Sequence, residues 1–279
     1  MTSPATAREL IDSGERRLAD AGIDTARLDA ELLLAAAAGT TRSQIVAGLI
    51  DPAGSEQVYE SWIARRANRE PLAYITGRQG FRRIELAVDR RVLIPRPETE
   101  LLVAVVKVDR PCGILDIATG SGAVALALAD ELPDATITAA DLSRDALDVA
   151  RANAVEMNAD GRVTLIESDL LDSVDGVFDA IASNLPYVVA GDIDGLMPEV
   201  SRFEPRLALD GGEDGLDLVR RLANAAPSQL KPGGMLALEI GEGQAIETEE
   251  ILLAAGFVNT ERHEDLSQIE RVVSGRTPT

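Results

Sequence analysis

The four residues Asn184-Leu185-Pro186-Tyr187 directly follow residues 177–183, an apolar run with the composition of a buried strand. They bring a side-chain amide, a main-chain carbonyl and an aromatic ring together. Two such acceptors suit a planar NH₂ group, whose delocalised lone pair makes it a poor nucleophile. Held by Asn184 Oδ1 and the Leu185 carbonyl, that nitrogen could direct its lone pair at an electrophilic methyl group while Tyr187 excludes water. The alternative interpretation is that these four residues form an ordinary turn containing Asn and Pro, with no role in binding.

A second chemical signal is a glycine-rich segment after another apolar run. It reads Asp116-Ile117-Ala118-Thr119-Gly120-Ser121-Gly122. Glycines let main-chain amides approach a ligand, and the following helix presents its positive N-terminus. Gly120-x-Gly122-x-x-Ala125 matches the dinucleotide fingerprint, and Asp141 lies nineteen residues after Gly122, where an acid binds a ribose. The loop predicts an adenosine cofactor without distinguishing NAD from S-adenosylmethionine. A purely structural glycine turn is the alternative.

Both segments fall within an alternation of strand-like and helix-like segments that begins near residue 96. The predicted strands are residues 113–117, 136–140, 163–166, 177–183, 235–240, 257–260 and 271–274, and the clearest helices are 123–131 and 144–158. Such alternation predicts parallel βαβ units. Ligands of these sheets bind at the carboxyl ends of the strands, where both chemical segments lie.

The first 71 residues read as four short amphipathic helices. Glycine or proline ends each of them, and Thr41 with Gln44 forms a capping box. Residues 72–95 are rich in β-formers and predict a hairpin, with turns at residues 77–80 and 89–91. We therefore expect a helical domain at 1–71, a hairpin linker at 72–95 and a catalytic domain at 96–279.

The net charge of −20 is concentrated in the second part of the chain. Residues 96–279 contain fourteen basic and thirty-four acidic side chains, whereas residues 1–95 are neutral. Such a field repels polyanions, so direct nucleic-acid binding is not expected. The segment from Arg65 to Arg91 contains eight arginines and only three acidic residues. This cluster is either a solvated face or a contact patch for a partner.

Membrane, secreted and zinc-binding classes are weakly supported. The longest apolar run, residues 32–38, is far below the roughly 20 residues that span a bilayer. Arg8 and Glu9 interrupt any signal-peptide pattern. One cysteine, Cys112, and one histidine, His263, leave almost no material for a metal site, and we expect His263 on the surface. A cytoplasmic globular protein is expected.

The chain resembles the HemK/PrmC-type release-factor glutamine methyltransferases over nearly its whole length. The matching blocks are residues 71–77, 93–100 (Leu-Ile-Pro-Arg-Pro-Glu-Thr-Glu), 116–122, 184–187, 198–200, 203–209 (with Glu-Pro-Arg-Leu-Ala-Leu), 211–217 and 231–234. The resemblance implies a class I S-adenosylmethionine-dependent methyltransferase fold, α/β and Rossmann-like with a seven-stranded sheet, preceded by an N-terminal helical bundle and a β-hairpin linker. It implies methyl transfer from S-adenosylmethionine to the glutamine of the Gly-Gly-Gln loop of class 1 peptide release factors.

The resemblance also implies roles for individual residues. Residues 118–122 would wrap the methionine part of the cofactor, Asp141 would hold its ribose, and Asp169 and Leu170 would flank the adenine. Asn184, Leu185, Pro186 and Tyr187 would hold the substrate glutamine, with Asn184 also next to the cofactor. Residues 96–100 would line the cofactor pocket from the linker side, and residues 203–206 would brace the site from below.

Two positions depart from the family pattern. The family usually has proline where this chain has Leu185, but leucine still supplies the main-chain carbonyl and Pro186 still keeps it extended. Ala118 stands where glycine is commoner, which could crowd the cofactor. Asn-Leu-Pro-Tyr also occurs in ribosomal RNA adenine dimethyltransferases.

Three alternatives therefore stay open. An adenine N6-methyltransferase would use the same geometry on ribosomal RNA, but only Lys107 and Lys231 supplement the arginines of this acidic chain. A non-catalytic binding module with a vestigial cofactor pocket is the second. A nicotinamide oxidoreductase is the third and lacks an evident acid for hydride transfer. We expect the helical bundle and the hairpin to help dock a folded protein substrate.

Overall fold

The computed structural model describes residues 6–279, which form two compact units. The first contains the chain up to Gly77 together with Met197–Phe203, and the second contains Arg78–Leu196 and Glu204–Thr279. The helices are α1 Ala7–Asp20, α2 Ala26–Ala37, α3 Arg42–Val46, α4 Glu56–Ala67, α5 Leu72–Thr76, α6 Thr99–Val106, α7 Ala123–Glu131, α8 Arg144–Glu156, α9 Pro198–Ser201, α10 Asp217–Ala225 and α11 Ala245–Ala254. Among residues 6–279, none of the helices is both long and apolar enough to cross a bilayer.

The first unit is a helical bundle around a small apolar core. Thr6 and Thr41 each begin a helix with a capping box, to Glu9 and Gln44 respectively. Tyr59 is fully buried and donates its hydroxyl hydrogen to the Leu10 carbonyl at 3.1 Å. The local sequence signals at the helix ends therefore agree with the ends in the structure.

The hairpin is shorter than the sequence pattern indicates. Its strands are β1 Arg78–Phe81 and β2 Ile84–Ala87, joined through Arg82, whose φ of +50° is left-handed. The prediction of a turn at residues 77–80 is wrong: Gly77, with φ +74°, ends α5 as its left-handed C-cap. No strand forms at residues 92–94.

Seven strands form the sheet of the second unit. They are β3 Gly113–Ile117, β4 Thr136–Asp141, β5 Val163–Glu167, β6 Phe178–Asn184, β7 Leu230–Glu239, β8 Val258–Glu264 and β9 Glu270–Arg276. The order is β5-β4-β3-β6-β7-β9-β8, with β3 to β7 parallel and β9 antiparallel to both neighbours. The short link at residues 265–269 requires the last pair to be antiparallel, since a parallel crossover needs a dozen or more residues. The predicted α/β, Rossmann-like fold is confirmed.

Two apolar layers cover the faces of this sheet. Successive residues of β3 go to opposite layers: Ile114 packs with α6 and α7, and Leu115 packs with α10 and α11. Phe81 and Leu86 of the hairpin join the first layer. The sheet is therefore buried on both faces, which leaves the ends of its strands for binding.

Ion pairs neutralise most of the arginine cluster between residues 65 and 91. The pairs are Arg65–Glu70, Arg66–Asp29, Arg66–Glu199, Arg69–Glu199, Arg78–Glu156, Arg82–Glu131, Arg83–Asp130 and Arg91–Asp89. Many of the acids lie far away in the sequence, so the local count of charges overstated the positive field.

Glu131, the last residue of α7, ties the hairpin to the rest of the second unit and generates a stability prediction. It accepts from Arg82 Nη2 at 3.0 Å and pairs with Lys107 Nζ at 2.5 Å. The hydrogen bond from Arg82 lowers the pKa of Glu131 from 4.5 to about 2, so its contribution is complete above pH 4.5 and is lost as the pH falls toward 2. We expect Glu131→Gln to lower the free energy of unfolding by about 2 kcal/mol at pH 7.

Urea unfolding at pH 7 and at pH 3 measures this effect. The control Glu156→Gln breaks the exposed pair with Arg78 and should change stability by less than about 0.5 kcal/mol. Equal stabilities of Glu131→Gln and Glu156→Gln at pH 7 would contradict the assignment.

Candidate active site

One cavity opens at the carboxyl ends of β3, β4, β5 and β6. The predicted site residues that line it are Ala118, Thr119, Gly120, Ser121, Asp141, Asp169, Leu170, Asn184, Leu185 and Pro186. Gly122 and Tyr187 are not on its lining. The two chemical segments found in the sequence thus share one space, because β3 lies between β4 and β6 in the sheet.

The glycine-rich loop depends on left-handed backbone. Gly120 and Gly122 have φ values of +56° and +84°, and Ala118 has +59°. A Cβ on Gly122 would lie 3.1 Å from Leu126 Cδ1 and 3.4 Å from Ala150 Cβ, whereas one on Gly120 would meet nothing within 4 Å. Ala118 therefore adopts a conformation that favours glycine, a strain of about 1–2 kcal/mol for an L-residue.

Asp116 braces this loop from below and was not predicted as a site residue. Its Oδ2 accepts from Thr119 Oγ1 at 2.6 Å and from the Ala125 amide at 3.1 Å. It is almost completely buried, and burial raises its pKa to about 7. Asp116 belongs to the motif quoted from the sequence, but only the three-dimensional contacts reveal that it holds the loop against α7.

Asp141 is held rigidly at the end of β4. Its Oδ2 accepts from the Gly120 amide at 2.8 Å and its Oδ1 accepts from the Ser143 amide at 2.9 Å. Burial raises its pKa above the usual value, although main-chain hydrogen bonds from Ser143, Gly120 and Leu142 offset part of the rise. Each carboxylate oxygen has a second lone pair, so Asp141 can still accept from a ligand in the cavity.

Asp169 and Leu170 lie on the lining after β5. Leu170 has φ +51°, and Asp169 Oδ2 lies 2.9 Å from Arg221 Nη2 on α10. Arg221 is a contact that the sequence did not reveal, since it lies about fifty residues further along the chain. The pair lies at the rim of the cavity, where about half of each side chain is exposed.

Asn184 is the last residue of β6, and its side chain is anchored from α6. Asn184 Nδ2 donates to Thr99 Oγ1 at 3.1 Å, and the preceding Ser183 donates to the Ile117 carbonyl of β3 at 2.7 Å. Leu185 lies on the cavity lining, although only 2% of the residue is exposed. The amide and the adjacent main chain are therefore fixed relative to the glycine-rich loop.

Most of the residues predicted to line the pocket from the linker side do not reach it. Of residues 96–100 only Thr99 is on the lining, so that prediction is wrong for the others. Arg96 instead donates twice to Glu204, at 2.7 and 2.6 Å, and the Glu204 side chain is only 1% exposed. Pro205, next to Glu204, lines the cavity.

Two glycines and a glutamine lock the turn that carries Tyr187. A Cβ on Gly211 would lie 2.8 Å from both the Pro186 oxygen and Tyr187 Cα, and one on Gly215 would lie 2.3 Å from the Tyr187 oxygen. Gln244 Nε2 donates to that oxygen at 3.1 Å. Burial raises the pKa of Tyr187 to about 12, so its hydroxyl stays protonated.

His263 lies on β8, a strand at the edge of the sheet, and it is not among the residues that line the cavity. The expectation that it is exposed is wrong: it is half-buried, and its Nε2 lies 2.9 Å from Ser274 Oγ. Burial lowers its pKa. Its register partner on β9 is Val272, so Ser274, the partner of Glu261, is its diagonal neighbour on the same face of the sheet.

Comparisons with known proteins find similarity over nearly the whole chain. The family model of the PrmC N-terminal domain matches residues 9–77, and the model of the methyltransferase small domain matches residues 97–197. A release factor glutamine methyltransferase of Geobacter sulfurreducens is 41% identical over 276 residues, covering 97% of this chain and 96% of that protein. The similarity therefore extends over both units.

Two solved structures share the fold. A methyltransferase from Pyrococcus furiosus matches with a TM-score of 0.52 at 19% identity, covering 70% of this chain and 89% of that one. The 16S rRNA N2 G1207 methyltransferase of T. thermophilus, solved with AdoMet and guanosine, matches with a TM-score of 0.52 at 18% identity, covering 72% and 49%. At these identities the likeness concerns the fold alone.

The backbone of the loop provides a direct test. Gly122→Ala should lower the free energy of unfolding by about 2–3 kcal/mol, because it adds a left-handed alanine and a close contact with Leu126. Ala118→Gly should raise it by about 0.5–1 kcal/mol, since relief of strain exceeds the added entropy of the unfolded chain. Urea unfolding measures both.

Gly161→Ala is the matched control, because a Cβ there meets nothing within 4 Å. It should change stability by less than about 0.5 kcal/mol. If Gly122→Ala were as stable as Gly161→Ala, the loop would not have the conformation described.

Proposed function

The chain belongs to the release factor glutamine methyltransferase family, and we propose that it transfers a methyl group from S-adenosylmethionine to the side-chain amide nitrogen of the glutamine in the Gly-Gly-Gln loop of class 1 peptide release factors. One observation carries this proposal beyond the family: a single cavity is lined both by the glycine-rich loop and by Asn184 and Leu185, the two residues proposed to hold the substrate amide.

The residues present fit the cofactor. The space beside Gly120 is open, so main-chain amides of residues 118–122 can approach the methionine part. Asp141 has lone pairs left for the ribose hydroxyls, and Asp169 with Leu170 would flank the adenine. When bound, S-adenosylmethionine supplies an electrophilic methyl group on its sulfonium sulfur.

The contribution of the protein is to orient a weak nucleophile. The nitrogen of a glutamine amide shares its lone pair with its carbonyl, so it must be held with that lone pair out of conjugation. Asn184 Oδ1 and the Leu185 carbonyl oxygen accept its two hydrogens and stabilise the positive charge that develops on the nitrogen. No strong base is needed, because the cationic N-methyl amide formed by the transfer is acidic enough to release its extra proton to water; positioning lowers the barrier.

Leucine at the second position is compatible with this role. The proposed acceptor is its main-chain oxygen, which every residue has, and the side chain is buried in the apolar layer next to β6. Pro186 keeps Leu185 in an extended conformation, and the packing of Gly211 on the Pro186 oxygen holds the turn. Tyr187 would flank the substrate amide and exclude water.

A protein substrate suits the charge of the molecule better than ribosomal RNA does. The catalytic part has an excess of twenty negative charges, and the arginine cluster of residues 65–91 is largely paired within the protein. The helical domain, proposed at residues 1–71, and the hairpin linker at residues 72–95 would dock the release factor, while residues 96–279 catalyse. The reaction would take place in the cytoplasm, where release factors act.

Cofactor affinity should depend on Asp141. Loss of hydrogen bonds to a charged group costs about 1.5–3 kcal/mol, so Asp141→Ala should raise the Kd for S-adenosylmethionine about 10- to 100-fold. Isothermal titration calorimetry measures this. The control Asp148→Ala removes a carboxylate that pairs with Arg151 on the exposed face of α8, and the Kd should change by less than about twofold. Wild-type affinity in Asp141→Ala would exclude the proposed ribose contact.

Turnover should depend on Asn184. Asn184→Ala should lower kcat about 100- to 1000-fold, because it removes an acceptor from the reacting nitrogen, and should change the Kd for S-adenosylmethionine less than about fivefold. Steady-state kinetics with saturating cofactor separate the two effects. Asn224→Ala, which removes an exposed amide bonded to its own helix, is the control and should keep kcat. Near-normal turnover in Asn184→Ala would overturn the mechanism.

The function itself is tested with methyl-labelled S-adenosylmethionine and a recombinant class 1 release factor, followed by peptide mass mapping. We expect one methyl group on the glutamine of the Gly-Gly-Gln loop. Transfer to adenine in ribosomal RNA instead would favour the nucleic-acid alternative. Absence of cofactor binding would favour a non-catalytic binding module.

A further inference from the structure

Behind Asn184 lies a buried carboxyl group that the mechanism above does not use. Glu239 is the last residue of β7 and the register partner of Asn184 in the neighbouring parallel strand. It is 2% exposed, and its Oε2 is buried without a hydrogen-bond partner. Register partners project to the same face of a sheet, so the carboxyl lies beside the Asn184 amide. A buried acid in such a place needs an explanation, since its desolvation is costly.

Glu239, Thr99 and Asn184 form one buried polar group. Asn184 Nδ2 donates to Thr99 Oγ1 at 3.1 Å, and both side chains lie near enough to the Glu239 carboxyl to lower its pKa. Thr99 is itself 4% exposed at the start of α6. The group therefore connects the first turn of α6 with the ends of β6 and β7.

We propose that Glu239 is a positioning residue that, directly and through Thr99, fixes the Asn184 side chain with Nδ2 turned inward and Oδ1 turned toward the substrate. This inference rests on the proposed function, because only an acceptor at Oδ1 can hold the hydrogens of a glutamine amide. An asparagine amide can present either end to a ligand, so the neighbours must select the end.

The donors and acceptors account for the selection. An ionised carboxylate only accepts hydrogen bonds, so the groups that face it must be donors: the Thr99 hydroxyl and Asn184 Nδ2. Thr99 Oγ1 accepts from Asn184 Nδ2, which leaves its own hydrogen free to point at the carboxylate. A protonated Glu239 would itself donate, and could then bond to Thr99 Oγ1 or Asn184 Oδ1 and remove the selection.

The surroundings of Glu239 place its change from the protonated to the ionised form near neutral pH. Burial raises the pKa of Glu239 to about 7, and the negative charge of Glu98 beside α6 also raises it. The neighbouring Thr99 hydroxyl, Arg271 of β9 and the Asn184 amide lower it. Tyr187 also lies within the field of Glu239 and stays neutral because its pKa is about 12. Since the ionised form is the one that orients Asn184, turnover should rise with pH across this range.

The test uses Glu239→Gln in the full-length protein, with the release factor and S-adenosylmethionine as substrates. We expect kcat to fall about 10- to 100-fold, with the KM for the release factor and the Kd for the cofactor within about threefold of wild type. The rise of kcat between about pH 6 and pH 8 should disappear in this variant. Glu131→Gln, which alters a buried carboxyl away from the cavity, controls for lost stability and should keep both kcat and the pH profile.

The Thr99 pair is a second, independent test and decides the question if Glu239→Gln does not fold. Thr99→Val removes the hydroxyl and should lower kcat about 10-fold or more, and Thr99→Ser, which restores the hydroxyl, should recover most of the loss. Unchanged kcat and pH profile in Glu239→Gln, or equal rates for Thr99→Val and Thr99→Ser, would overturn the inference. A wild-type protein that binds the cofactor but methylates no release factor would instead overturn the proposed function.

Discussion

The molecule depends on the main-chain ladder that holds β3 between β4 and β6. Because these strands are parallel and in register, Ile117 lies beside Ala140 on one side and Ser183 on the other, and all three chains leave the sheet at the same edge. Loops far apart in the sequence therefore open onto one cavity. The hydrogen bond from Ser183 Oγ to the Ile117 carbonyl fixes the separation of the glycine-rich loop and the Asn184 turn. A catalyst that works by positioning needs this kind of rigid frame.

Buried carboxylates supply the second level of order. Asp116 holds the loop after β3, Asp141 holds the same loop from β4, and Glu239 supports Asn184 from β7. Each is expensive to bury, as the raised pKa values of Asp116 and Glu239 indicate, and each is retained where hydrogen-bond donors must be oriented. The apolar layers, by contrast, stabilise the sheet without directing any polar group. Stability and function are thus carried largely by different side chains.

Much of this arrangement is local in the sequence and could be predicted from it. Strand and helix periods, the glycine-rich loop and the Asn184 turn each lie within a short window, and their meeting follows from the topology of parallel sheets. The bond between Thr99 and Asn184 joins residues that are far apart in sequence, so no spacing reveals it. The sequence does not indicate the hairpin turn at Arg82, because arginine is not a typical turn residue. Gly77 wrongly indicates a hairpin turn, because the same left-handed backbone that suits a turn also ends a helix. The pairing of the arginine cluster likewise depends on distant acids.

The central claim is that two oxygens, Asn184 Oδ1 and the Leu185 carbonyl, hold the amide nitrogen that receives the methyl group. A crystal structure of the protein with S-adenosylhomocysteine and a release factor tests it most directly. The account predicts both oxygens within about 3 Å of the glutamine nitrogen, with that nitrogen facing the cofactor sulfur. A glutamine amide bound elsewhere in the cavity, or presenting its own oxygen to Asn184, would contradict it.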